Sequence, residues 1–145
     1  MSILQLCDQT CATVAETATA ADAIRVMNEH RVGAVAVLSA GGAIAGIFTE
    51  RDVLKKLALS GRDPSKTPVR ELMTSPVETC SADTPSADAL KLMLQRHIRH
   101  LPIVDRGGKL LGVLSIRNLL QGQVEELAQQ LDSLEHYVSN DGPGG

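Results

Sequence analysis

The sequence predicts an α/β (α+β) chain made of two tandem β-α-β-β-α units with a C-terminal helix. Three observations predict it. The stretch Gly46-Ile47-Phe48-Thr49-Glu50-Arg51-Asp52 returns as Gly112-Val113-Leu114-Ser115-Ile116-Arg117-Asn118. A shift of 66 residues also carries Asp22 onto Asp88, Ala23 onto Ala89, Met27 onto Met93 and Gly41-Gly42 onto Gly107-Gly108 without a gap, which an internal duplication explains. Within each copy, continuous apolar runs of strand length alternate with segments of helical period.

Taken in order, Ile3 to Cys7 reads as a short apolar helical turn, and the shift places it on Val69 to Met73. A brief strand near Ala12 to Ala15 precedes a helix from Thr19 to Arg31, with Ala20, Ala23, Ile24 and Met27 on one face. Val32 to Leu38 is apolar throughout, as a strand buried on both faces requires. Ser39-Ala40-Gly41-Gly42 is a hairpin turn, Ala43 to Phe48 the return strand, and Glu50 to Leu59 a second helix with Val53, Leu54 and Leu57 inward.

Residues 61–75, rich in Gly, Pro, Ser and Thr, form a linker outside the core between a first repeat over 1–60 and a second over 76–122. The second repeat has strand Val77 to Cys80, helix Thr84-Pro85 to His97, strand His100 to Val104, turn Asp105 to Gly108, strand Leu110 to Leu114 and a helix from Ser115. Pro85 suits the first helical position, where its missing donor has no partner to lose. A C-terminal helix over 123–138 carries Val124, Leu127, Leu131, Leu134 and Val138 at heptad-like spacing. That seam suits equally a contact between two copies and one against its own domain. Residues 139–145 are expected to be disordered.

Copies of about 60 residues are marginal alone, so one shared core is expected, filled by aliphatic residues because Phe48 and Tyr137 are the only aromatics. The net charge of −3 and the lack of stacking aromatics argue against nucleic acid and against an anionic membrane surface. Cys7, Cys11 and Cys80 make no disulfide framework and no C-x-x-C, which fits reduced thiols in a cytosolic protein. Without an N-terminal signal or an apolar run of about 18 residues, a cytoplasmic location is expected. His97 and His100 form H-x-x-H, but they span a helix-to-strand junction and lack a fixed third ligand, so no metal is expected. There is no nucleophile paired with a base and no P-loop, so no catalytic residue is assigned.

Element order, spacing, duplication and the G-h-x-[ST]-x-x-[DN] motif (h is apolar) together closely resemble a CBS domain pair, over about residues 3 to 122. Arg99-His100-Leu101-Pro102-Ile103-Val104-Asp105 looks like the family's apolar-Pro strand. Thr49 to Asp52 and Arg96 to His100 resemble the small stand-alone bacterial type.

The resemblance implies two units packed about a pseudo-twofold axis, with two clefts between them for adenosine-containing ligands. It implies Asp52 on the ribose hydroxyls, since a carboxylate is acceptor-only. Thr49 and the free amides at the helix start would meet phosphate, and Gly46 would allow close backbone approach. It further implies that Asp52 and Thr49 face Val77, Thr79 and Ile98-Arg99-His100, while Asn118 and Ser115 face Thr13 and Val32-Gly33-Ala34. Arg99 and His100, with Arg62 and Lys66, would supply charge for phosphates. Arg51 and Arg117, inside the two motifs, and Pro102, which also shapes its strand, complete the candidate set.

Asn118 lacks the charge of Asp52, so its cleft is expected to bind more weakly or to prefer another ligand. T-x-x-D is also a helix capping box, and the two roles are compatible. AMP heads the candidate ligands, followed by ADP, ATP and NAD(H). The implied function is non-catalytic regulation: a homodimer reporting energy or redox state to a target protein. The alternative is a ligand-free scaffold or dimerisation module acting through the C-terminal helix.

Overall fold

A computed structural model describes residues 2–7 and 12–140. Cys11 and the tail from Asp141 lie outside them. In the first repeat, α1 (Ile3–Leu6) is capped by Ser2, whose hydroxyl accepts from the Gln5 amide. After β1 (Thr13–Ala15) comes α2 (Ala20–His30), which Thr19 and Asp22 open as a reciprocal capping box. Ala20, Ala23 and Met27 are its buried face, and Arg31 ends it in the left-handed region at φ 54°. Central β2 (Ala34–Leu38) pairs in parallel with β1 and antiparallel with β3 (Ile44–Thr49). Gly42 in the hairpin adopts φ 84°, a conformation glycine takes without a Cβ clash.

Thr49 caps α3 (Glu50–Asp52), which continues as a π-helical segment, Val53–Ala58. Leu57 is buried there, but Leu54 is 67% exposed, against expectation. The wider π turn carries Leu54 away from the face that Leu57 occupies.

The second repeat keeps α4 (Ser86–Arg96), β4 (His100–Val104) and β5 (Leu110–Ser115), with β4 and β5 antiparallel. Pro85 stands at the cap, with φ −60° and ψ 144°, rather than in the first helical turn. The expected strand Val77 to Cys80 does not form; only Cys80 bridges β4. In the first repeat the Ala36 amide donates to the Ala12 carbonyl at 3.0 Å. Its counterpart in the second is Pro102, which has no N–H, so that rung is missing. The Cys80 amide to the Pro102 carbonyl (3.0 Å) and the Val104 amide to the Cys80 carbonyl (2.9 Å) remain.

Two apolar clusters replace the expected shared core, one per repeat. Each is completed by the lead-in of the other repeat. Ile3 and Cys7, the lead-in of the first repeat, pack in the second cluster, while Val69 and Leu72 pack in the first. The expected linker is therefore core over its second half, with Val69 at 0% and Leu72 at 3% exposure. Glycine in the sheet permits this exchange. A Cβ on Gly46 would stand 2.5 Å from Met73 Sδ, and one on Gly112 3.2 Å from Cys7 Sγ. Gly46 thus makes room for the lead-in and not, as expected, for a ligand. The repeats meet on the pseudo-twofold axis near the equivalent residues Ala43 and Lys109, which form an antiparallel bridge.

The last helix, α5 (Ile116–Asn140), runs unbroken for 25 residues, so the expected boundary at 122 falls inside one helix. Its seam residues Val124, Leu127, Leu131 and Leu134 are 59–65% exposed and do not lie on their own domain. Among the described residues, no helix is long and apolar enough to cross a membrane.

Candidate functional site

Two cavities open where the repeats meet. The first, about 200 Å³, is walled by Thr49, Glu50 and Arg51 from the first repeat and by His97, Ile98, Arg99 and His100 from the second, with Gly33, Ile47 and Thr74. The second, about 160 Å³, reverses the contributions: Ala12 and Arg31 to Ala34 face Val113, Ser115, Arg117 and Asn118, and His100 closes it. Gly33 and His100 therefore belong to both. A wider groove of about 930 Å³ lies over the pair and adds Ile24, Val53, Leu54 and Ile116.

Backbone bonds at equivalent positions hold the cleft walls. The Glu50 amide donates to the Gly33 carbonyl at 3.0 Å, and the Ile116 amide to the Arg99 carbonyl at 2.8 Å. Each bond ties the residue before the first strand of a hairpin, β2 or β4, to the start of the helix that follows the hairpin. The Asp52 amide is likewise committed, to the Thr49 hydroxyl at 3.3 Å. The amides of Glu50 and Asp52 are thus not free for a phosphate, contrary to expectation.

Asp52 itself turns into the protein. Its carboxylate accepts from the Thr49 amide at 3.0 Å and from the Thr74 hydroxyl at 3.2 Å, and it pairs with Lys56 at 3.2 Å. With those partners it is 6% exposed and lines neither cavity. In the second repeat the carboxylate and its lysine are both missing. Asn118 replaces Asp52, and Gly122 stands where Lys56 does in the first copy. The Asn118 amide keeps its bond to the Ser115 hydroxyl, at 3.0 Å. Asn118 lines the second cavity, so the geometry offers the amide side chain and not the carboxylate to a ligand.

Of the other sequence candidates, Thr49, Arg51, Ile98, Arg99 and His100 come together in the first cavity, and Val32, Gly33, Ala34, Ser115 and Arg117 in the second. Thr13 is held inside the β1–β2 ladder opposite Ala36, and Ala12 takes its expected place. Val77 and Thr79 line neither cavity, and residues 77–79 form no strand. Pro102 is fully buried in the core. Arg62 is drawn away into an ion pair with Glu71 at 2.8 Å, and Lys66 is exposed in the same distant loop. Thr74, Glu50, Arg31, Ile47 and Val113 line the cavities without having been expected there. Arg31 was legible in part, since it is the shifted counterpart of His97.

The walls are electropositive. Among the described residues, Arg31, Arg51, Arg99 and Arg117 enter no ion pair, whereas Arg25, Arg62 and Arg96 each do. Glu50 is the one carboxylate at the first cavity. Burial pushes the His100 pKa below the usual histidine range, and Arg99 adds to the shift while Glu50 opposes it. No cluster of three His, Cys, Asp or Glu side chains suited to a metal occurs among the described residues.

Comparison with known proteins agrees with this architecture. A protein from Methanopyrus kandleri is 38% identical over 109 residues, 75% of this chain; the chain spans 56% of that relative's length. The structure of a putative signal-transduction protein with CBS domains from Burkholderia ambifaria superposes with a TM-score of 0.77 at 36% identity, covering 85% of this chain and 91% of that one. A CBS domain protein from Pyrobaculum aerophilum, solved in complex with AMP, gives a TM-score of 0.78 at 28% identity, covering 89% and 99%. The CBS domain family model matches twice, at residues 5–59 and 69–125, and the chain belongs to the CBS domain family as a tandem pair.

Proposed function

We propose that this chain is a non-catalytic regulatory module that binds an adenine nucleotide between its repeats and, as a cytoplasmic homodimer, signals occupancy to a target protein. AMP is the leading ligand, with ADP, ATP and NAD(H) behind it. The observation that carries the reading is the first cavity, where Thr49 and Arg51 of one repeat meet Ile98 to His100 of the other and two unpaired guanidiniums flank a partly apolar wall. An anion and a flat base are the chemistry such a wall suits. The Pyrobaculum protein that carries AMP shares the fold, and CBS domain proteins are in general regulatory rather than catalytic. A nucleotide can shift this module only by its difference in affinity for two arrangements of the repeats or protomers.

Calorimetric titration with AMP, ADP, ATP and NADH tests the reading. Saturable binding by at least one of them, weakened about tenfold or more in Arg99→Ala, is the expected result. Absence of heat with all four overturns it. The function would then pass to a ligand-free scaffold, a second reading that the exposed seam of α5 favours.

A further inference from the structure

Beyond Gln123 the last helix leaves the body of the protein. Gly122 is its last buried residue, packed so closely on Leu6 that a Cβ there would overlap the leucine. From Val124 to Tyr137 every position except Glu126 is exposed. Residues 124–140 extend roughly 25 Å at the α-helical rise. An isolated helix of this length is marginal in water. Yet Val124, Leu127, Leu131 and Leu134 place four large aliphatic side chains on one uncovered stripe.

The residues along the stripe identify its cover. In heptad register, Val124, Leu131 and Val138 occupy the first apolar position (a), and Leu127 and Leu134 the second (d). Within parallel coils, valine at the first position with leucine at the second favours two strands, and only Leu131, the middle of the three first-position residues, departs from that pattern. The charges agree: Glu125, Glu126 and Asp132 fall on outer positions, so the acidic side of the helix points away from the seam. Of the flanking positions, only Glu135 is charged. In a parallel pair Gln130 of one helix meets Glu135 of the other, an amide donor against a carboxylate, twice by symmetry and with no like charges opposed.

We propose that residues 124–138 form a parallel two-stranded coiled coil with the same segment of a second copy of this chain. None of its residues lines either cavity, so the contact does not rest on nucleotide binding. It sets both CBS pairs at the same end of the coil.

Light scattering after gel filtration of the full chain tests the proposal. The native protein is expected to be a dimer and Leu127→Asp/Leu134→Asp a folded monomer, while Leu59→Asp, at an exposed leucine of the body outside the cavities and the groove, stays dimeric. Mild oxidation of Val124→Cys is expected to cross-link the dimer beyond any wild-type background, because parallel register brings the two positions 124 together. A monomeric native protein, or a dimer that survives the double substitution, overturns the contact. A dimer sensitive to the double substitution but with no cross-link at 124 overturns its parallel direction.

Discussion

Lys56 reaches back one helical turn to Asp52, its Nζ 3.2 Å from Oδ1, and the carboxylate it meets is 8% exposed. The same carboxylate takes the Thr49 amide at 3.0 Å and the Thr74 hydroxyl at 3.2 Å. Asp52 therefore joins the start of α3 to the segment that leads into the second repeat. Asp52→Ala removes half of a capping box and leaves the Thr49 amide, the Thr74 hydroxyl and the Lys56 ammonium without their acceptor. Such losses cost about 1–3 kcal/mol. The melting temperature is expected to fall by roughly 3–10 °C, and by less in Asp52→Asn, which keeps an acceptor. Melting curves of Asp52→Ala that match the wild type would remove the structural role.

Gly46 and Gly112 are equivalent, but the lead-ins press on them unequally. A Cβ at Gly46 meets Met73 Cγ at 2.8 Å and the Thr74 carbonyl at 2.9 Å; at Gly112 the nearest atoms, on Cys7, are at 3.2 Å. Gly46→Ala must displace backbone as well as a flexible thioether. It is expected to cost about 1–3 kcal/mol, with Gly112→Ala costing less. Urea denaturation of both variants checks the order, and equal losses would contradict it.

What the sequence made legible follows a simple division. Features set within a few residues were readable: the capping pair Thr49–Asp52, the Gly42 turn and the all-apolar β2; the two halves of each cleft were expected only through the resemblance to a CBS pair. Features set by partners far along the chain were not. Nothing near Val69 shows that it fills the first core, because most of the cluster it joins lies in the first repeat, in α2, β2 and β3 among others. Nothing near Asp52 shows that Thr74, 22 residues on, holds its carboxylate out of the cleft. Pro102 lies between these cases: its missing donor was readable, but the lost rung appears only beside the Ala36–Ala12 bond of the first repeat.

That comparison gives Pro102→Ala a specific outcome. The variant regains an N–H at the position where Ala36 donates to Ala12 at 3.0 Å. The new amide is expected to bond the Glu78 carbonyl and to complete a third strand in the second sheet. A hydrogen bond adds about 1 kcal/mol net, offset by the packing of a ring that is now fully buried. Little change in stability is therefore expected, with slow hydrogen exchange at residue 102. Fast exchange of that amide would show that the segment stands off for another reason.

His100 gives the site a pH dependence whose sign can be worked out. Burial, helped by Arg99 and opposed by Glu50, depresses its folded pKa below the ordinary value of 6.5. As the pH falls through that ordinary value, the unfolded chain takes up the proton first, so the stability present above it is lost until the folded pKa is reached. His100→Asn is expected to flatten the decline between about pH 7 and pH 5, as measured by denaturant unfolding across that range. Equal slopes in the two proteins would place the proton elsewhere. A nucleotide phosphate brought against the same ring acts in the opposite direction: it favours the imidazolium and raises the pKa. Binding near pH 6 is therefore expected to take up a proton. The binding heat would then vary with the ionisation enthalpy of the buffer in the wild type and lose most of that variation in His100→Asn.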